Sequence, residues 1–280
     1  MMRKIGVITN DENGVFQKSV INGAWTTAEV EDCELLIHSQ ANNTLPKLTP
    51  DEVDGWLVIA NAATPEWLAA VKSAGKPVTL VSHTLPGFPS VVFDNRQGMM
   101  ELVKHLVVTC GRREFIFVRG VTGQYDADQR EAAYTDALMR YSAHAAGTIN
   151  GEFNPKTAVA ALETLIKEGN AFDAVIASDY MMALGVIARL KQQQRVPQDV
   201  SVVGFGDGPE ARAAKLTTVA ADVEELGRRA AKQVVHQMNG GKISGVTTLS
   251  VRLIERNTSY DDPPDPGMRK EKPPRFVKRG

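Results

Sequence analysis

The side chains best suited to chemistry fall in short stretches that follow β-rich runs: Asn10 to Phe16, Arg119 to Arg130, Ser178-Asp179-Tyr180 and Gly206-Asp207-Gly208. With the helix starts beside them, these stretches supply Asp11, Phe16, Gln17, Asp126, Arg130, Asp179, Tyr180 and Asp207; His83 and Phe153 occupy comparable places. Carboxylates and amides hydrogen-bond to hydroxyls, and a planar guanidinium with several fixed donors suits vicinal hydroxyls or a carboxylate. Arg130 stands close to the start of a helix expected around Ala127 to Tyr141, where its charge opposes the helix dipole. A ligand contact and a solvated arginine both fit that place. Asp179 and Asp207 each lie between a strand and a helix, so N-capping and acceptance of a ligand hydroxyl are both open to them. Phe16 and Phe153 offer flat rings, either to a core or to the apolar face of a sugar or base.

Motifs that carry catalysis are absent. The chain has no G-x-x-x-x-G-K-[ST], no H-E-x-x-H and no G-x-S-x-G, and Gly204-Phe205-Gly206-Asp207-Gly208 lacks the third glycine of a dinucleotide fingerprint. The five histidines show no metal-ligand spacing, and Cys33 and Cys110 stand far apart, as ordinary buried thiols of a reducing compartment would. The expectation is a non-enzyme with neither metal nor cofactor.

The elements that must position these residues follow βαβ grammar. Ile5 to Thr9, Glu34 to His38, Gly55 to Ala60 and Pro77 to Ser82 read as strands, with helices near Phe16 to Ala28 and Pro65 to Ser73. A second series has strands at Glu114 to Val118, Asp173 to Ala177 and Val200 to Phe205. Apolar residues at helical spacing mark three further helices: Met99 to Val107, Ala158 to Ile166, and Val223 to Met238 with Asp222 as N-cap and Gly240-Gly241 as its stop. The methionines in these stripes are core fillers. Alternating strands and helices predict an α/β fold with parallel sheets. A length of 280 residues suits two lobes, each large enough for its own core. From Tyr260 the chain turns to Asp-Asp-Pro-Pro-Asp-Pro and then a basic run, which predicts a flexible tail or linker over 260–280.

Composition narrows the partners. Lys and Arg total 32 against 33 Asp and Glu, so the chain lacks the positive field that nucleic acid or an anionic membrane requires. No apolar run reaches the ~18 residues of a membrane span, and the first residues enter a strand without a secretory h-region. The reading is cytoplasmic.

A distributed series of short motifs carries a more specific resemblance over roughly Lys4 to Thr258. In the first half these are Ile5-Gly6-Val7 with Asp11, Phe16 and Gly23, then Val53-Asp54-Gly55, Gly75-Lys76-Pro77-Val78 and Leu85 to Asn95. The second half adds Cys110-Gly111-Arg112-Arg113, Arg130 with Ala133-Tyr134, Phe172-Asp173-Ala174-Val175, Met182-Ala183-Leu184-Gly185, Val196 to Phe205 and Leu216-Thr217-Thr218-Val219. In order and spacing the series resembles the ligand-binding core of the lactose and galactose repressor family.

That resemblance implies two Rossmann-like lobes of the periplasmic-binding-protein type I kind, joined by three crossing segments, with a small effector held between them. It places the first lobe at about 1–95 plus 220–245 and the second at 96–219 plus 246–259. It also implies homodimerisation, an effector-gripping role for Arg130, and cleft aromatics at Phe16 and Phe153. Two departures stand out. The family usually carries Asn-Asp before Met-Ala-x-Gly, where this chain has Asp179-Tyr180, and Gly206 replaces the first carboxylate of a common Gly-Phe-Asp-Asp. The sequence also opens at the first strand of the core, so DNA contact is expected only through a helix-turn-helix headpiece outside these residues. The expected function is the effector-binding and dimerisation core of a transcriptional regulator that senses a sugar, sugar acid, polyol or nucleoside. A sensory module of a signalling enzyme and a solute-binding protein are the alternatives.

Overall fold

A computed structural model of the chain describes residues 2–39, 49–192 and 196–260. The chain begins with β1 (Arg3–Thr9), α1 (Val15–Val30), β2 (Cys33–Ser39), β3 (Gly55–Ile59), α2 (Pro65–Ser73), β4 (Val78–Val81) and β5 (Ser90–Phe93). It crosses at Phe93/Asp94 into a second unit made of α3 (Asn95–Lys104), β6 (Glu114–Arg119), α4 (Tyr125–Tyr141), β7 (His144–Asn150), α5 (Pro155–Lys167), β8 (Ala174–Ala177), α6 (Tyr180–Lys191), β9 (Ser201–Phe205), α7 (Pro209–Ala213) and β10 (Thr217–Ala220). At Ala221/Asp222 it returns for α8 (Val223–Met238) and β11 (Val246–Leu249), and after Ser250 it crosses once more to β12 (Arg252–Ile254).

Each unit is an α/β sheet. The first has strand order β11-β5-β4-β3-β1-β2, with every pair parallel. The second is β12-β10-β9-β8-β6-β7, parallel except for β12, which runs antiparallel to β10. In both, the first strand of the unit lies between the second and third, so the winding reverses beside β1 in one sheet and beside β6 in the other. Such switch points open crevices at the carboxyl ends of the strands, where ligands of doubly wound sheets bind.

The inner strands β3, β4, β8 and β9 are buried on both faces because each sheet is covered on both. In the first unit Trp56 and Val58 pack with Leu68 and Val71 of α2. Gly55, pointing the other way, lies under Val234 and Met238 of α8. In the second unit Ile116 and Val118 join α5 and α6 in one core, while Phe117 stacks on Tyr134 of α4 with ring centres 4.6 Å apart. Local signals hold: Asp222 Oδ1 accepts from Glu225 N (2.9 Å) at the start of α8, and Gly240 has the positive φ of a helix stop.

Three expectations change. Val246–Leu249, assigned from the sequence to the second lobe, is the edge strand of the first sheet, in parallel register with Ser90–Phe93. It is four residues long and half open to solvent, so it carries no apolar period to read. Tyr260, read as the start of a tail, is anchored: its hydroxyl donates to Glu255 Oε2 (2.8 Å) and its ring packs on His105. The remainder of the expected tail, 261–280, lies outside the described residues. Asp207 is not an N-cap; Gly208 precedes α7 in that place, without a side-chain bond. Among the described residues no helix is long and apolar enough to cross a membrane.

Candidate functional site

The switch point of the second sheet lies between the carboxyl ends of β6 and β8, and Arg130 spans it. From α4, which follows β6, its Nη1 donates to the carbonyl oxygen of Ser178 at the end of β8 (2.9 Å). Its Nε donates to Asn95 Oδ1 (2.8 Å), and Asn95 Nδ2 donates in turn to Asp126 Oδ1 (2.7 Å). Asp126 Oδ2 closes the triangle 3.7 Å from Arg130 Nη2. The guanidinium lies flat on Phe205, its carbon 3.8 Å from the ring centre. Arg130 is thus 7% exposed and fully organised.

This rules out the solvated arginine that the sequence left open. A guanidinium held by a side-chain amide, a backbone carbonyl, a carboxylate and a ring is part of the architecture. Donor capacity remains, because the bonds to Asn95 and Ser178 use only two of its five N–H donors.

Around it, Asp179 caps α6 through a bond from Met182 N (2.8 Å). Burial pushes its carboxyl up to about 6, against the Met182 N–H and the charge of Arg130. The hydroxyl of Ser178 is completely buried and has no hydrogen-bond partner within the protein, an arrangement that costs free energy unless a bound molecule supplies one. Phe153 lies in the loop after β7, with its ring against Gly120 at the end of β6. Glu152 and Phe153 both have left-handed backbones, with φ of 54° and 55°, a strained pair of the kind found at binding loops. Tyr180, the first residue of α6, is half-buried over Gly206 and Gly208.

Arg130, Asp126, Phe153, Asp179 and Tyr180 therefore share the carboxyl edge of the second sheet. Asp207 is on the same edge, but its two oxygens accept from Arg256 Nη1 (2.7 Å) and Nη2 (3.0 Å), so it is engaged by the protein. In the first unit Asp11, Phe16 and Gln17 flank the switch point beside β1. Asp11 is exposed and Asp11 Oδ1 accepts from Asn13 N (2.9 Å), while Phe16 and Gln17 sit half-buried in the first turn of α1. His83 follows β4, partly buried, and burial lowers its pKa. Asn95, Ser178 and Phe205 were not among the residues singled out for the site. Asn95 is the first residue of α3 just beyond the crossing, a position that composition does not flag.

Comparison with known proteins gives the family of the chain. Residues 103–259, more than half of the chain, match the family described as periplasmic binding protein-like domain. The HTH-type transcriptional regulator AscG of Escherichia coli is 29% identical over 174 residues, covering 60% of this chain and 52% of the relative. The lactose operon repressor of Klebsiella pneumoniae is 30% identical over 173 residues, covering 61% and 49%. The match thus spans about half the length of these relatives. Among solved structures, a transcriptional regulator CelR–cellobiose complex superposes with a TM-score of 0.81 at 22% identity, over 91% of this chain and 84% of that one. The chain belongs to the family described as periplasmic binding protein-like domain, and it is similar to transcriptional regulators of the lactose-repressor kind.

Proposed function

We propose that the chain is the effector-binding and dimerisation core of a transcriptional regulator, and that it binds a small hydroxylated molecule without transforming it. The observation that carries this reading is the guanidinium of Arg130, fixed across the β6–β8 switch point on the carbonyl of Ser178 with N–H donors left over; the hydroxyl of the same Ser178 is buried without a partner in the protein. Fixed donors of this kind recognise sugar hydroxyls. The relatives are transcriptional regulators and one matched structure holds cellobiose, which supports a sugar or sugar-like effector and a cytoplasmic role. In this reading DNA is contacted through a helix-turn-helix module rather than through these residues, whose net charge is −1.

A thermal-shift screen of sugars, sugar acids, polyols and nucleosides on wild type and Ser178→Ala tests it. A true effector raises the melting temperature of the wild type. Ser178→Ala removes a buried hydroxyl without a partner, so the unliganded variant should be as stable as wild type, or more stable by up to ~1–3 kcal/mol. Its affinity for the effector should fall about tenfold. Equal affinity in both proteins would move the site away from Ser178.

A further inference from the structure

The carboxyl edge of the second sheet is divided into two chemically distinct halves. Arg130 and the Ser178 hydroxyl form one half, which offers hydrogen bonds. The loop after β9 forms the other, and its side chains are either missing or engaged: Gly206 and Gly208 have none, and Asp207 is gripped by both terminal nitrogens of Arg256 with Arg212 Nη1 3.7 Å away. Tyr180 covers both glycines. A methyl group at Gly206 would lie 2.8 Å from Tyr180 Cδ1, and one at Gly208 would lie 2.6 Å from Tyr180 Cζ. Gly206 also has a φ of 100°, so the ring and the backbone each exclude a side chain there. Across the ring, the Tyr180 hydroxyl donates to Glu210 Oε2 (3.4 Å). The halves meet at Phe205-Gly206, with Arg130 lying on the first residue and Tyr180 on the second.

We propose that Tyr180 sets specificity at this edge, and that the site takes a ligand in which a hydroxylated head is joined to a flat ring. The head bonds to Arg130 and Ser178; the ring stacks on the half-buried Tyr180, which replaces a hydrogen-bonding wall with an aromatic one. An aryl glycoside and a nucleoside both have this chemistry. The inference rests on the effector-binding reading above and adds the ligand class to it.

Calorimetric titrations with two pairs of probes separate the sources: phenyl β-D-glucopyranoside against methyl β-D-glucopyranoside, and adenosine against D-ribose. The ring-bearing member of one pair should bind about tenfold more tightly than its partner. Tyr180→Phe should retain that preference, because the ring and not the hydroxyl makes the contact. Tyr180→Leu, which keeps apolar volume but loses the flat face, and Tyr180→Ala should abolish it while binding to the ring-less member changes little. Circular dichroism confirms that the variants are folded, and Tyr180→Leu remains informative if Tyr180→Ala is not. Probes that bind in a Ser178-dependent manner but with no ring preference, or with a preference that survives Tyr180→Leu, would overturn this inference alone. Failure of all four probes to bind would overturn it together with the effector-binding reading.

Discussion

Arg130, the residue proposed to grip the effector, is also part of the architecture. Its helix position and its place after β6 are legible in the sequence, as is its capacity for several hydrogen bonds. Its burial is not, because the partners Asn95, Ser178 and Phe205 come from segments far apart in the chain and meet only when β6, β8 and β9 align. Asp179 was legible as a cap for the same reason it is a good one: it stands where a strand ends and a helix begins. Its carboxyl, pushed up to about 6 by burial, binds a proton more tightly in the folded protein than in the unfolded chain. Stability from this group is therefore gained as pH falls through 6 toward 4 and lost as pH rises through 6. His105, whose pKa is lowered by burial, acts in the opposite direction below its ordinary value, so the two must be separated. Asp179→Asn does so. In urea melts the variant should exceed wild type by ~1–3 kcal/mol at pH 7.5, and the gap should narrow as the buffer is taken toward pH 4. A gap independent of pH would mean that Asp179 titrates normally.

At the scale of elements, periodicity located the long helices and buried strands well, since α2 and α8 carry both caps and stripes. It missed β5, β7, β10, β11 and β12. These are short or lie at sheet edges, where exposure alternates weakly and the pairing partner is distant in sequence. It also gave no sign of how closely α1 and α8 pack. Gly23 and Gly227 allow the two helices to touch backbone to backbone: a Cβ at Gly23 would collide with the Glu224 carbonyl, and one at Gly227 with the Val20 carbonyl. Backbone atoms cannot swing aside as a flexible side chain can. Gly23→Ala and Gly227→Ala should each destabilise the protein by about 1–3 kcal/mol in denaturant unfolding, despite the better helix propensity of alanine. Unchanged or increased stability in both would show that the helices part at little cost.

Across the whole molecule, two units of the same strand order arise from one chain that crosses between them three times. The α/β class was visible in the alternation of elements, and the near balance of charge removed the field that nucleic acid requires. Effector chemistry was less visible, because it depends on which polar groups at the strand ends remain available. Asp207, prominent in the sequence, is engaged by Arg256, whereas Ser178, inconspicuous there, keeps an unpartnered hydroxyl. The central claim is that the chain holds its effector on Arg130 without changing it. Calorimetric titration of wild type and Arg130→Lys with the ligand found by thermal shift, followed by NMR of the recovered ligand, tests this directly. Lysine keeps the charge but cannot reach Asn95 and Ser178 together. The account predicts one saturable site per chain, a ligand recovered unchanged, and at least about tenfold weaker binding in a less stable but folded Arg130→Lys protein. Equal affinity in the two proteins, or a ligand recovered as a different compound, would contradict it.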